Sequence, residues 1–156
     1  MTKTNVMRLL DAAKIEYEVL TYEVDESDLS GASIARKTGR DHNIIFKTLV
    51  FSGEKNGFGV CCIPVCEELD LKKVAKAFGE KKVEMLHVKD LLKTTGYIRG
   101  GCSPIGMKKQ FKTVIDETAQ LFDKIYVSGG MRGVMLGINP EQLKTYITAE
   151  YGEITI

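Results

Sequence analysis

Two strand-like runs joined by a short turn place the strongest constraint on how this chain can fold. Residues 44–51 read IIFKTLVF, which is too rich in apolar, β-branched and aromatic residues for a surface helix. Residues 53–57, GEKNG, supply hairpin turn residues, and a second strand-like run, FGVCCIPV, follows them. The sequence therefore predicts an antiparallel β-hairpin.

Short helices and strands alternate on both sides of this hairpin. Helices are predicted at residues 4–13 and 32–37, between Asp70 as N-cap and Gly79 as stop, at residues 88–95, and after Asn139-Pro140. Strands are predicted at residues 15–24, 81–86, 113–116, 125–128, 134–138 and 151–156. This alternation indicates a mixed α/β fold with a curled or barrel-like β-sheet and surrounding short helices.

The chain has 156 residues and a formal net charge of +1. This length fits one domain, and because no linker or repeat is visible we place a single domain over residues 1–156. A nearly neutral charge argues against extensive nucleic-acid binding by this protein alone. No apolar stretch is long enough to cross a bilayer and the N-terminus lacks a signal-peptide pattern, so we expect a cytoplasmic protein.

Residues 96–110, GYIRGGCSPIGMKKQ, form a loop that is dense in glycine and is called the glycine loop below. Adjacent glycines cost backbone entropy and pack nothing, so such a loop usually exists because some group approaches its backbone closely. A second turn, VSGGMRG at residues 127–133, allows two interpretations. It is either a hairpin connection or an anion-binding concavity formed by Ser128 and the backbone amides of Gly129 and Gly130.

Lys47 lies inside an apolar strand. The period-two pattern places it on one face with Ile45 and Leu49, while Thr48 shares the other face with Phe46. Because neither face is polar, Lys47 is either an edge-strand lysine whose ammonium reaches water or a lysine that points into a pocket. In a pocket, its positive charge would hold a carbonyl or phosphate oxygen.

The four cysteines are Cys61, Cys62, Cys66 and Cys102, which we interpret as free thiols. Their spacing lacks paired metal-ligand motifs, so we predict no metal site and no cofactor. Cys102 lies in the glycine loop and is the candidate for a protein nucleophile, a role that requires a thiolate-stabilising neighbour. The absence of a CxxC pair also argues against a thiol-redox protein.

The chain resembles the YbaK/EbsC family of prolyl-tRNA synthetase-associated editing proteins, the cysteinyl-tRNA(Pro) deacylases. Five segments carry the resemblance, in the order FKTLVF, LDLKKVAKAFG, KKVEML, TGYIRGGCSPIGMKKQFKTVID and IYVSGGMRG. The resemblance implies a barrel-like mixed sheet covered by helices, with a pocket for the aminoacylated 3′ end of tRNA. It also implies prolyl-tRNA synthetase as a partner, and we expect a monomer or a weak homodimer.

The resemblance also implies roles for individual residues. By position, Lys47 matches the family's essential lysine, and Gly100 and Pro104 match its Gly-x-x-x-Pro loop. The predicted catalytic residues are Lys47, Gly100 and Gly101. The predicted substrate-binding residues are Tyr22, Thr48, Cys102, Ser103, Pro104, Ser128, Gly129 and Gly130. Leu29 is a departure, because many members carry an aromatic residue before the matching glycine.

The mechanism that the resemblance implies is substrate-assisted cleavage, in which the thiol of the bound cysteinyl group attacks its own ester carbonyl. An intramolecular thiol has a high effective concentration, which supports such a step. Two other functions stay open at this point. One is an Ala-tRNA(Pro) editing deacylase that uses a bound water, and the other is a non-catalytic module that binds the tRNA acceptor end or a synthetase.

Overall fold

The computed structural model describes residues 2–156 and combines short helices with strands. Its elements in chain order are α1 (Asn5–Ala12), β1 (Glu18–Thr21), α2 (Gly31–Thr38), β2 (Phe46–Gly53), β3 (Gly57–Pro64), α3 (Leu71–Ala77), β4 (Val83–Met85), α4 (Val88–Thr95), β5 (Thr113–Asp116), β6 (Ile125–Ser128), β7 (Val134–Ile138), α5 (Pro140–Tyr146) and β8 (Glu150–Gly152). Short 3₁₀ helices cover His42–Ile44 and Glu117–Leu121. Within residues 2–156, no helix is long and apolar enough to cross a membrane.

The strands form two sheets that meet beside the start of β2. One sheet has five strands in the order β4-β2-β3-β5-β8, and the other has three in the order β1-β7-β6. The predicted hairpin is confirmed, since β2 and β3 pair antiparallel from Phe46 with Pro64 to Gly53 with Gly57. Within residues 2–156, one isolated bridge, from Ile45 to Tyr126, links the two sheets. The predicted mixed α/β fold with short surrounding helices is confirmed.

Side-chain caps explain why several helices begin where the sequence predicts. Thr4, Asp70 and Asn139 each accept a hydrogen bond from a backbone amide in the first turn of the helix that follows. Pro140 stands at the first turn of α5, where its missing N–H costs nothing. Capping therefore places α1, α3 and α5 close to their predicted bounds.

Two predicted strands are shorter in the structure than in the prediction. β1 was expected over residues 15–24, but its partner β7 offers only the register from Gly137 opposite Glu18 to Val134 opposite Thr21. The closing strand was expected over residues 151–156, yet β8 ends at Gly152. Beyond it the chain leaves β5, and Thr155 bridges instead to Leu69 ahead of α3. In both cases the length of the available partner limits the strand.

The core is divided around β2, which positions the residues that border the site. Phe46 packs in the largest apolar cluster, which also holds α1 and α5 side chains such as Leu10 and Leu143. Ile45, one residue earlier, packs in another cluster with Tyr126. Ile45 and Phe46 are at most 1% exposed, so burial on both sides holds the start of β2 firmly.

Gly31, the first residue of α2, lies against the residue that follows β3, and we expect Gly31→Ala to destabilise the protein. A Cβ at this position would lie 2.1 Å from Val65 Cβ, an atom that no rotamer change can move away. We expect a loss of about 1–3 kcal/mol in the free energy of unfolding, measured by urea denaturation. Ala32→Ser, at the exposed next position, is the control, and equal stability of the two variants would contradict the expected clash.

Candidate functional site

A cavity of about 580 Å³ opens where α2, β2, α4 and the glycine loop converge. The N-terminal end of α2 contributes Gly31 and Ile34, β2 contributes residues 46–50, and the glycine loop contributes Arg99 and Gly100. The volume lies in the range typical of sites for small ligands. The cavity therefore can hold a small molecule or the end of a longer one.

The backbone of β2 explains why neighbouring residues on opposite faces of this strand all border the cavity. In the described part of the chain, β4 pairs with β2 at Phe51–Gly53, and the Leu86 amide just after β4 donates to the Val50 carbonyl at 3.0 Å. Near the other end of β2, Tyr126 of β6 bridges to Ile45, the residue before β2. Within the described residues, the intervening edge of β2, residues 46–49, has no strand partner and borders the cavity. Side chains from both faces, including Lys47 and Thr48, reach the space beside this edge.

The structure brings five of the eleven predicted site residues together in the cavity lining. These are Lys47, Thr48, Gly100, Cys102 and Ser128. The other six lie outside the lining within residues 2–156, and they are Tyr22, Gly101, Ser103, Pro104, Gly129 and Gly130. The cavity is thus bordered by segments that the sequence singled out, but the sequence did not separate residues that line the cavity from residues that lie behind the lining.

Lys47 and Arg99 are the charged side chains that line the cavity within residues 2–156, and no acidic or histidine side chain joins them. Lys47 is half-buried, and in this part of the chain it forms no ion pair with a carboxylate. The rest of the lining is mainly apolar. Such a site attracts an anionic or electron-rich group and offers no side-chain carboxylate or imidazole for general acid-base catalysis.

Cys102 lines the cavity but is poorly suited to attack a substrate. Its side chain is 9% exposed, and burial raises the pKa of its thiol to about 11. At pH 7 only about one thiol in 10⁴ would then be ionised, whereas the thiolate is the nucleophile. The hypothesis that Cys102 is a protein nucleophile is therefore not supported.

The adjacent glycines of the glycine loop are explained by close contact with the second turn. A Cβ on Gly100 would lie 3.3 Å from Arg132 Nε and 3.5 Å from Leu29 Cδ2. A Cβ on Gly101 would lie 3.1 Å from the backbone nitrogen of Arg132 and 3.2 Å from two backbone atoms of Met131. The group that approaches these glycines most closely is thus part of the protein itself.

Ser103 and Pro104 are buried residues of the glycine loop itself. The Ser103 hydroxyl oxygen accepts a hydrogen bond from the Ile105 amide at 3.2 Å. Among the described residues, Tyr22 also lies outside the cavity lining. Its backbone amide donates a hydrogen bond to the Gly133 carbonyl at 3.0 Å. These residues support the segments that border the cavity.

The anion-binding concavity proposed for the second turn is wrong, because both amides already donate to acceptors in the protein. The Gly129 amide donates to the Val134 carbonyl at 2.9 Å, and the Gly130 amide donates to the Ser128 hydroxyl oxygen at 3.2 Å. The turn joins β6 and β7, which pair antiparallel. The hairpin interpretation is therefore confirmed.

Sequence reasoning missed Arg99 and the apolar wall of the cavity. Arg99 precedes Gly100 in the glycine loop, and this position was the available signal for it. The apolar wall includes Met85 from β4 and Val88 and Leu91 from α4. Val88 is 60% exposed, so this wall forms part of an open rim. A sequence pattern that predicts a helix does not reveal which residues of its apolar face border a cavity.

Solved structures share the fold of this chain. A structure described as a trans-editing enzyme for prolyl-tRNA synthetase matches with a TM-score of 0.82 at 20% identity, covering 100% of this chain and 99% of that one. A structure of a hypothetical protein matches with a TM-score of 0.89 at 21% identity, covering 98% and 100%. The chain thus has the fold found in trans-editing proteins.

Residues 29–146 match the family described as Aminoacyl-tRNA editing domain, and the chain belongs to this family. An Enterococcus faecalis protein named as a Cys-tRNA(Pro)/Cys-tRNA(Cys) deacylase, EbsC, is 51% identical to it over 153 residues. The alignment covers 98% of this chain and 93% of that protein. The family resemblance inferred from five sequence segments is confirmed.

Proposed function

We propose that this protein is a trans-editing enzyme that deacylates mischarged Cys-tRNA(Pro), with the substrate's own thiol as the attacking group. The observation that carries the proposal is a cavity with two cations and a glycine loop but, within residues 2–156, no acidic, histidine or ionised cysteine side chain in its lining. The group that attacks the ester must then be water or a group of the substrate itself. Membership of the editing family and the name of the Enterococcus relative support the choice of an aminoacyl ester.

The need for such an activity follows from the limits of binding selectivity. Cysteine and proline have similar volumes, and a pocket that discriminates by little more than a methylene gains only about 1–3 kcal/mol. A synthetase that selects proline is therefore expected to attach cysteine at times. Hydrolysis of the wrong ester in a second site supplies the missing selectivity.

In the proposed reaction, the cysteinyl sulfur attacks the carbonyl carbon of its own ester. A carbon–sulfur bond forms, the ester carbon–oxygen bond breaks, and the thiol proton passes to the ribose oxygen that leaves with the tRNA. The product is a small cyclic thioester, which water then opens to cysteine. Because the thiol and carbonyl belong to one molecule, proximity supplies most of the acceleration.

The residues of the cavity would stabilise the negative charge that develops on the ester oxygens. Lys47 would supply a positive charge from the open edge of β2. In residues 2–156, the backbone amides of Gly100 and Cys102 have no hydrogen-bond acceptor, so both are free to donate to an oxygen. The Gly101 amide donates to the Ile98 carbonyl at 3.0 Å, so Gly101 would contribute through packing instead.

We further propose that the chain acts as one editing domain in the cytoplasm and recognises mainly the 3′ end of the tRNA. A net charge of +1 supports modest affinity for phosphate groups. Prolyl-tRNA synthetase would then supply most of the tRNA binding, which raises the effective concentration of the substrate. A monomer or a weak homodimer suffices for this role.

Release of labelled cysteine from Cys-tRNA(Pro) tests the proposal, with Cys102→Ala compared with the unmutated protein. We expect Cys102→Ala to remain within about threefold of the unmutated rate, because a thiol with a raised pKa contributes little thiolate. A loss comparable to removal of a nucleophile would identify Cys102, rather than the substrate thiol, as the attacking group. Binding of tRNA with no release of cysteine would instead indicate the non-catalytic module.

A further inference from the structure

Arg132, in the second turn, contacts the peptide group that joins Arg99 to Gly100. Its Nε donates a hydrogen bond to the Arg99 carbonyl at 2.8 Å. Its Cγ and Nε lie 3.4 and 3.3 Å from the place where a Gly100 Cβ would stand. The Arg132 side chain is 27% exposed, and Arg132 lies outside the cavity lining in residues 2–156. Arg132 therefore contacts the site through the glycine loop and not through the cavity.

The held peptide group is the centre of a β-turn that has two accessible states. The Gly101 amide donates to the Ile98 carbonyl, so Arg99 and Gly100 are the two central residues of the turn. Gly100 has a φ of +86°, which is the type II arrangement. A type I turn needs a negative φ at this position, and glycine adopts either sign with little cost. The two states differ by a flip of the peptide between Arg99 and Gly100.

The flip decides where the Gly100 amide points. No peptide bond in residues 2–156 is cis, and in a trans peptide the C=O and N–H groups point in opposite directions. When Arg132 holds the Arg99 carbonyl, the Gly100 N–H is turned away from Arg132. Because the amide has no acceptor in the part of the chain that the structure describes, the Arg132 hydrogen bond is what favours this orientation.

Arg132 itself is held by the backbone more than by its ion pair. The backbone of Met131 and Arg132 packs against Gly101, and the Tyr22 amide donates to the adjacent Gly133 carbonyl. The ion pair from Arg132 to Glu26 has a nitrogen–oxygen distance of 4.0 Å, and Glu26 is 86% exposed. Such an exposed pair contributes little, so loss of the Glu26 charge should leave the Arg132 hydrogen bond in place.

We propose that Arg132 is a positioning residue that selects the type II state of the turn and thereby directs the Gly100 amide to the ester oxygen. The inference rests on the proposed deacylase function, in which that amide donates to developing negative charge. This role differs from direct electrostatic stabilisation of the substrate. What orients the Gly100 amide is the hydrogen-bond donor at the Nε position of residue 132, and not the positive charge.

Two substitutions of equal length separate the donor from the charge. Arg132→Gln removes the charge but keeps an N–H donor at the position of Nε, whereas Arg132→Met removes both and keeps the packing of the stem. We expect Arg132→Met to lower kcat for Cys-tRNA(Pro) by about 10- to 100-fold with a smaller change in KM, because the misdirected amide acts in the transition state. We expect Arg132→Gln to recover most of this loss, remaining within about threefold, as a retained hydrogen bond predicts.

Glu26→Gln is the control for the ion pair and should behave like the unmutated protein. Equal losses in Arg132→Gln and Arg132→Met would show that the guanidinium charge matters, and they would overturn the inference. Full activity of Arg132→Met would overturn it as well.

A second readout does not depend on catalysis. By ¹⁵N relaxation of the free protein, the Gly100 amide should become more mobile in Arg132→Met than in Arg132→Gln. Equal mobility in the two variants would overturn the positioning role. If the unmutated protein releases no cysteine, the proposed function fails, while this measurement still reports on the turn.

Discussion

Lys47→Ala is expected to slow the release of cysteine from Cys-tRNA(Pro) by about 100- to 1,000-fold, the effect of removing one charge-stabilising group from an active site. Lys47 is one of two charged side chains that line the cavity within residues 2–156, and no carboxylate there neutralises it. Its charge is therefore available to the ester oxygens as they become negative. Single-turnover kinetics with excess protein would measure the chemical step directly.

Lys55→Ala is the matched control for this variant. Lys55 is an exposed lysine in the turn of the same hairpin, away from the cavity lining of the described residues, so its loss should leave the rate unchanged. Equal thermal stability of the two variants would exclude unfolding as the cause. A Lys47→Ala protein that retains a rate within about threefold of the unmutated one would contradict a role for this charge in the reaction.

The same tRNA(Pro) carrying serine or alanine is expected to be cleaved at least about 100-fold more slowly than the cysteinyl form, because neither carries the intramolecular thiol. The cavity supplies no replacement, since burial raises the pKa of the Cys102 thiol to about 11. Serine is the sharper comparison, because it matches cysteine closely in size and differs mainly in the attacking atom. The measurement is the first-order rate of loss of each labelled amino acid.

The outcomes of this comparison separate the enzymes that the sequence left open. Similar rates for all three amino acids would show that water attacks, and the thiol mechanism would be wrong. Faster cleavage of the alanyl form would indicate an alanine editor with a pocket that selects by size. Spontaneous hydrolysis without protein must be subtracted, since each ester has its own rate in buffer.

Local patterns were sufficient to predict most elements of the fold. α4, β5, β6 and β7 have the predicted bounds because their apolar periodicity and their flanking residues lie within the segment itself. The ends of β1 and β8 were predicted less well, since they depend on how far a distant partner strand extends. Strand termination by a partner is a non-local effect that periodicity does not contain.

The site was predictable in its segments but not in the direction of its groups. The apolar pattern left Lys47 with two interpretations, and the open edge of β2 that borders the cavity arises only because β4 pairs further along the strand. The amides of Gly129 and Gly130 were misassigned because their acceptors follow from backbone angles and a cross-strand contact. Likewise, Arg132 contacts Gly100 although the two are 32 residues apart in the sequence, and no local motif predicts such a contact.

The cavity lining of residues 2–156 holds no carboxylate or imidazole, and this has a consequence for which tRNAs the proposed reaction would cleave. Correctly charged Pro-tRNA(Pro) has no thiol, so it would be spared without any steric filter against proline. Correctly charged Cys-tRNA(Cys) brings the same thiol as the mischarged substrate and would be cleaved at the same site. Protection of that correct product must therefore come from outside this chain, through whichever protein binds the tRNA first.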